Sequence, residues 1–390
     1  MNYKAEGNAL TIFLEGRIDS SNADAIEEEM NEIRSANSGS LILDAEKLEY
    51  ISSAGLRVVL RLRKAEAELK IVNAGSEVYD IFDMTGFTEM IEIEKAYRRL
   101  SVDGCGVIGA GAKGTVYRLD PETIIKVYHN PDSLPDIKNE RELARKAFVL
   151  GIPTAIPYDV VRVGDSYGSV FELLNASSFS EMIAANPEKL DEYIAIYAEL
   201  LKKIHQTMVK VDDMPDIKEK LINKWVSAAL PFLSEEVGAK LKTLVEAVPD
   251  TLNMLHCDYH TNNLMMQNGE ALLIDMDTLA HGHPIFELAN VYITYVGFGE
   301  DDPAIVEKFI GLPFDTAKLI WEKFLPLYLG TDDEKRIKEV EDKVKLLSYT
   351  RMMRHFIRRG GANTEEGRKV ISFCEEKIAE LIKNIDTLVF

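Results

Sequence analysis

The run Leu255-His-Cys-Asp-Tyr-His-Thr-Asn-Asn-Leu-Met-Met-Gln-Asn-Gly-Glu-Ala-Leu-Leu-Ile-Asp-Met-Asp277 permits very few local structures. Asn268-Gly269 is a favoured two-residue hairpin tip, because a type I′ turn needs positive φ at both central positions. Apolar runs flank the pair on each side. A hairpin with that tip pairs Gln267 with Glu270, and the same register carries Asn263 opposite Ile274. Asn263 and Asp275 then emerge side by side at the open end of the ribbon. An amide oxygen and a carboxylate converging there make a hard-oxygen site suited to Mg²⁺. Asp258 sits on the preceding loop, available to accept a hydroxyl proton.

Upstream, Gly106-Val-Ile-Gly-Ala-Gly-Ala-Lys-Gly-Thr-Val-Tyr117 contains Gly109-x-Gly111-x-x-Gly114. Three readings compete. A dinucleotide loop needs the last glycine to open a helix, yet Thr115-Val-Tyr-Arg-Leu119 is strand-like. A Walker loop needs Gly-Lys-Ser/Thr, and Lys113-Gly114-Thr115 has the order reversed. The third is a β-hairpin whose glycine-rich turn covers nucleotide phosphates, with Lys126 on the next strand as a phosphate ligand. A plain hairpin with a surface lysine is the alternative. Lys126 lies between Ile125 and Val127, so its ammonium needs a partner. The helical stretch from about Ile137 to Leu150 offers Glu140 and Glu142. Gly168 to Leu174 reads as a strand entering a hinge, with backbone groups of Glu172 to Leu174 facing an adenine. Phosphate-cradling backbone, a lysine, metal ligands and a base are the parts phosphoryl transfer needs. From Leu190 to Met208 an apolar stripe at helical spacing predicts core packing.

The first hundred residues alternate differently. Strand-like runs at Leu10–Leu14, Leu41–Leu43, Leu69–Val72 and Met90–Ile93 are separated by helical patterns at Ala23–Arg34, Ala54–Glu68 and Glu77–Met84. Such alternation predicts a small α/β layer domain. It ends near Ala96, and Tyr97 to Gly104 reads as a linker. Ser53 falls in the first turn of the second helix, where free backbone N–H groups favour either a capping hydroxyl or a phosphate.

At 390 residues, two or three domains are expected. A net charge of -20 argues against a nucleic-acid partner and would repel anionic membranes. No apolar run approaches a bilayer span, and the three scattered cysteines imply no disulfide framework, so a cytoplasmic home is expected. His256, Cys257, His260, His281 and His283 lack the ordered spacing of a structural zinc site. The one concentrated basic run, Arg351-Met-Met-Arg-His-Phe-Ile-Arg-Arg359, reads as a helix face offsetting nearby acids; lining an acceptor cleft for an anionic substrate is the alternative.

Two resemblances sharpen these expectations. Gly16-Arg-Ile-Asp19, Asp44, Leu48-Glu-Tyr-Ile-Ser-Ser-Ala-Gly-Leu56 and Asp83-Met-Thr-Gly-Phe87 resemble the STAS domains of anti-sigma-factor antagonists. The resemblance implies an α/β fold over residues 1–98, a small mixed sheet with helices on one side, and a signalling-protein partner. It puts Ser53 at the phospho-acceptor position, with Ser52 where the family keeps an acid.

Residues 104–390 resemble the aminoglycoside phosphotransferase and choline kinase superfamily, through Gly109–Val116, Lys126, His256–Asn263, Ile274–Asp277 and Pro284-Ile-Phe-Glu-Leu-Ala289. This implies an α+β, protein-kinase-like bilobal domain: an N-lobe over 104–174 and a helical C-lobe over 175–390. ATP, or else GTP, would contact Gly109, Ala110, Gly111, Gly114, Val116, Lys126, Glu172 and Leu174. By family register Lys126 pairs with Glu142, and Glu140 is the second choice. Asp258 is the implied catalytic base, Asn263 and Asp275 the Mg²⁺ ligands, with His256 and Asp277 in support. Cys257 replaces the common glycine beside the base, and Glu287 the usual aspartate. The acceptor is expected to be a small-molecule hydroxyl, with a STAS serine, or a non-catalytic nucleotide-sensing scaffold, as alternatives.

Overall fold

Alternating apolar residues build the N-terminal sheet. Its elements are β1 (Tyr3–Glu6), β2 (Ala9–Ile18), α1 (Ala23–Ala36), β3 (Ser40–Ile51), α2 (Ser53–Ala65), β4 (Lys70–Ala74), α3 (Ser76–Met84) and β5 (Glu92–Lys95). This is a computed structural model, and it describes every residue except 38, 112 and 175. The strand order is β1-β2-β3-β4-β5, with β1 antiparallel to β2 and the remaining pairs parallel. Period-two burial puts Leu10, Ile12 and Leu14 of β2 and Leu41, Leu43 and Ala45 of β3 on one face. They cluster with Met30 and Ile33 of α1, Val58, Val59 and Leu62 of α2, and Phe82 of α3. β1 carried no sequence signal, because all four of its residues are exposed.

The start of α2 separates the two serines. Ser52 is the N-cap, and its hydroxyl accepts from the Ala54 N–H at 3.2 Å. Ser53 is the first helical residue and is exposed. The cap that Ser53 was a candidate to supply is therefore supplied by its neighbour. Gly55 sits where a Cβ would lie 2.7 Å from Ile51 Cγ1 and 2.8 Å from Ile18 Cγ2, so only glycine lets α2 pack against those strand ends.

Two compact units divide the chain: Met1–Asp103 with Val160–Gly168, and Gly104–Asp159 with Ser169–Phe390. Beyond the linker follow β6 (Gly106–Ala110), β7 (Gly114–Arg118), β8 (Thr123–Tyr128), α4 (Leu134–Val149), β9 (Asp159–Val163) and β10 (Ser166–Glu172), in sheet order β6-β7-β8-β10-β9. Since β7 starts at Gly114 itself, the glycine motif opens a strand, which removes the dinucleotide and Walker readings.

The rest is mainly helical: β11 (Ser177–Ser178), α5 (Phe179–Ala185), α6 (Leu190–Gln206), α7 (Ile217–Leu221), α8 (Ser227–Ala229) and α9 (Glu235–Glu246) lead to β12 (Met254–Leu255). The hairpin β13 (Leu264–Gln267) and β14 (Glu270–Leu273) follows, then β15 (Ala280–His281). The chain closes with α10 (Ile285–Tyr292), α11 (Phe298–Asp301), α12 (Pro303–Ile310), α13 (Phe314–Leu329), α14 (Glu334–Arg358) and α15 (Glu365–Leu381). The stripe on α6 is core: Tyr193, Ile194, Tyr197, Leu200, Leu201 and Ile204 are all buried. At the hairpin tip Asn268 and Gly269 take φ of 52° and 84°, and Gln267 pairs with Glu270.

Candidate active site

The hairpin register delivers two of the expected ligands together. The Ile274 N–H donates to the Asn263 carbonyl at 3.0 Å, so Asn263 and Asp275 leave the ribbon side by side. Asn263 Nδ2 donates to the Asp258 carbonyl at 3.0 Å, which turns its amide oxygen away from that loop. Asp275 sits at φ 61°, a left-handed conformation that costs a non-glycine residue about 1–2 kcal/mol. Glu140, Asp275 and Asp277 bring carboxylate oxygens within 4.8 Å of one another. This donor set is all oxygen and mostly anionic, which suits Mg²⁺.

Lys126 reaches the same place from β8. Its Nζ lies 2.8 Å from Asp275 Oδ1 and 3.2 Å from Glu140 Oε1. Burial would lower its pKa, but the two carboxylates outweigh that and raise it. The partner is thus Glu140, not Glu142. On α4, Glu140 shares the buried face with Ile137, Leu143, Ala144 and Ala147, whereas Glu142 points away and pairs with Lys146 at 2.8 Å. Tyr128 adds a bond the sequence reading missed, donating to Glu140 Oε2 at 2.7 Å. Its signal was present: Tyr128 follows Lys126 by two on one strand, and so shares its face. On the glycine-rich turn, Lys113 ion-pairs with Asp277.

Gly109, Ala110 and Gly111 lie at the β6 side of that turn, Gly114 and Val116 on β7. Val116 is directly opposite Lys126 in the ladder. Gly114 is required by close approach, since a Cβ there would meet the Val127 carbonyl oxygen at 2.5 Å. In the hinge, β10 ends at Glu172 and the Leu173 N–H already donates to the Glu122 carbonyl at 2.6 Å. Of the expected hinge groups, the Leu173 amide is thus already engaged.

Asp258 is held by its loop. Burial pushes its carboxyl up, but a hydrogen bond from His260 and the charges of His260, His256 and Arg351 outweigh that and hold it at about 2. His256 is fully buried, and burial lowers its pKa; its Nδ1 accepts from the Asp258 N–H at 3.3 Å. Cys257 has φ 65°, which accounts for the glycine common at that place in the resembled superfamily. Glu287, wholly buried, accepts from the N–H groups of His256 at 2.8 Å and Cys257 at 2.6 Å. His205 Nε2 lies 2.9 Å from the same carboxylate. Glu287 therefore fixes the backbone that carries Asp258.

Asp258 opens onto a cavity of about 620 Å³ between α12, the end of α14 and the start of α15. Arg351, Arg354 and Arg359 line it. The basic run, expected to be a helix face balancing acids, thus faces the cavity instead.

Residues 105–319 match the Phosphotransferase enzyme family. The chain belongs to that family. Residues 1–100 match the STAS domain, so a STAS domain precedes the phosphotransferase, and its kinase-like, bilobal fold is the one anticipated. A putative anti-sigma factor antagonist, BtrV of Bordetella bronchiseptica, is 34% identical over 84 residues, which is 20% of this chain and 72% of that protein. Among solved structures, the phosphotransferase is similar to a choline/ethanolamine kinase family protein from Mesorhizobium loti, with 15% identity and a TM-score of 0.45 over 72% of this chain and 88% of that one. It is also similar to the aminoglycoside phosphotransferase APH(2'')-IIa in its streptomycin–ATP complex, with 16% identity and a TM-score of 0.48 over 80% of this chain and 98% of that one. No helix among the described residues is long and apolar enough to cross a membrane.

Proposed function

We propose that this phosphotransferase moves the γ-phosphoryl group of ATP, or of GTP, to a hydroxyl of a small molecule, with Asp258 as the base. The observation that carries this reading is Lys126 held between Glu140 and Asp275, with Asn263 beside Asp275. One strand and one hairpin thereby present a phosphate ligand and a metal-binding pair to the same point. The bond from the γ-phosphorus to the bridging oxygen breaks, and ADP leaves with its electron pair. A new P–O bond forms on the acceptor oxygen, whose proton passes to Asp258. Asn263 and Asp275 would hold Mg²⁺, with Asp277 adjacent, and the ion would neutralise phosphate charge when bound. Lys126 positions the α- and β-phosphates, and Glu140 with Tyr128 orients Lys126.

A second reading makes Ser53 an acceptor, in cis or trans. It is favoured by one observation: Ser53 is exposed at the N-terminus of α2 while Ser52 supplies the cap. In either reading the STAS domain serves regulation by docking a signalling protein, in the cytoplasm.

The test is ADP release from ATP and Mg²⁺ with and without hydroxyl compounds, followed by mass mapping of residues 1–100. Transfer to an added compound supports the first reading, and phosphate that vanishes in Ser53→Ala supports the second. ATP binding without transfer to either would leave a nucleotide-sensing scaffold. Asp258→Ala is expected to lower kcat by at least about 100-fold while ATP still binds.

A further inference from the structure

The cations of α14 divide into two sets. In its N-terminal part most cations have an acid close by on the same helix: Arg336 with Glu339 at 3.2 Å, Lys343 with Glu339 at 2.7 Å, Lys345 with Glu341 at 2.8 Å, and Lys338 with Asp342. Towards its C-terminus Arg351, Arg354 and Arg358, and Arg359 at its C-cap, have no carboxylate within ion-pair distance among the described residues. A helix face built to balance acids would continue the first pattern. Three of these four arginines, Arg351, Arg354 and Arg359, line the cavity, and none of the ion-paired cations does.

The lining also runs against the overall charge of the chain. The chain carries a net charge of -20, yet the lining holds three arginines against two acids, Asp258 and Glu366. Asp258 is the proposed base, and Glu366 is exposed on the first turn of α15. The Arg351 guanidinium lies 5.3 Å from the Trp225 ring centroid, and its charge acts on Asp258, which leaves Arg354 and Arg359 for an incoming anion. Beside it, burial and then the charges of Arg359, Arg351, Arg354 and Arg358 push His355 down to about 4, so the imidazole stays neutral. Phe298, Phe309 and Phe356 add apolar walls.

A cationic acceptor, an aminoglycoside or choline, would meet like charge here at a cost of several kcal/mol. An anion gains from unpaired guanidinium groups whose fork geometry matches carboxylate and phosphate. From this cavity we infer that the acceptor is an anionic alcohol, a hydroxyl compound bearing a carboxylate or phosphate and an apolar part. Its hydroxyl meets Asp258, and its anion meets Arg354 and Arg359. The inference rests on the phosphotransferase reading of Asp258 and names that site's substrate class.

Binding is measured by calorimetry at constant ionic strength, with the nucleotide site filled by a non-hydrolysable ATP analogue and Mg²⁺. Three aromatic probes share a phenyl ring and differ in charge: phenyl phosphate, benzyl alcohol and benzyltrimethylammonium, the first and last matching in heavy-atom count. Phenyl phosphate is expected to bind at least about tenfold tighter than benzyl alcohol, as charge-assisted hydrogen bonds require. Arg354→Ala and Arg359→Ala each weaken it by about tenfold, and Arg354→Lys restores part of the loss. Phenyl phosphate binding no tighter than benzyl alcohol, or the cation binding as tightly as the anion, overturns the inference. ADP release is followed in parallel with choline, glycerol and glycerol 3-phosphate. Turnover on choline in preference to glycerol 3-phosphate removes the anionic acceptor and keeps the phosphotransferase. If the ATP analogue itself does not bind, the phosphotransferase reading fails and the inference with it.

Discussion

Glu287 is a carboxylate with no exposure, and its neighbours are two backbone N–H groups and His205. Replacing it with alanine strands both donors in a dry interior. Each buried orphan costs about 1–3 kcal/mol, so Glu287→Ala should lose roughly 3 kcal/mol or more. Denaturant unfolding measures that loss, and kcat should fall with it because the loop carrying Asp258 loses its anchor. The pH dependence of Asp258 follows from its depressed pKa of about 2. Its folded value lies below the ordinary 3.8, so its stabilising contribution is complete above that value and is lost as pH falls toward 2. The proposed base is consequently ionised throughout the neutral range. The profile of kcat/KM should show no acid limb from this carboxylate above pH about 4. An acid limb near neutrality that disappears in Asp258→Asn would contradict this. Asp258, Asn263 and Asp275 were legible because chain neighbours and a turn of defined register set their relations. Glu140 over Glu142 was not read from the family register, although the burial pattern of α4 decides between them.

Elements position these residues through a few close approaches. Gly114 and Gly109 look equivalent in the glycine motif, but their surroundings differ. A Cβ on Gly114 would lie 2.5 Å from a carbonyl oxygen of β8, so the β7–β8 ladder would have to open. A Cβ on Gly109 would meet Val116 at 3.8 Å, which is ordinary contact. Gly114→Ala should therefore destabilise by about 1–3 kcal/mol and weaken ATP binding, because the turn and Lys126 share that ladder. Gly109→Ala should leave the melting temperature nearly unchanged. A thermal melt paired with ATP titration separates the two variants. Equal effects would mean that the motif acts as a unit and not through local packing. At this scale the β13–β14 hairpin was fully readable, since Asn268-Gly269 fixes its register. Ser52 as the cap was not readable, because a strand ending at Ile51 and one ending a residue later differ by nothing local. The basic end of α14 was misread for a related reason: a helical stripe does not reveal what lies across from it.

The two units own separate cores. The N-terminal cluster runs from Leu10 to Ile91 and takes no residue from elsewhere, while the second runs from Leu143 to Leu388. Sequence alternation revealed this division, because a period-two pattern with intervening helices stops near Ala96. What it did not reveal is that residues 160–168 group with the first unit. There the Leu100 N–H donates to the Arg162 carbonyl and the Arg162 N–H to the Arg98 carbonyl, each at 2.9 Å, and the Tyr97 and Tyr167 rings meet edge to face at 5.4 Å. None of these contacts involves the apolar cluster. Removing them costs about 3 kcal/mol, against the 5–15 kcal/mol typical of a domain. A fragment of residues 1–100 should accordingly fold alone, melting in one cooperative transition at least about 10 °C below the corresponding transition of the intact chain. Calorimetry of both proteins measures the difference. A fragment without a cooperative transition would show that the cluster depends on the rest of the chain. A fragment melting at the intact value would instead mean that the 160–168 contacts contribute nothing. The intermediate outcome has a use beyond stability, because the fragment then becomes a defined substrate. Phosphate incorporated into it by the intact chain would have to arrive in trans, and an isolated STAS domain would report whether Ser53 is within the enzyme's reach.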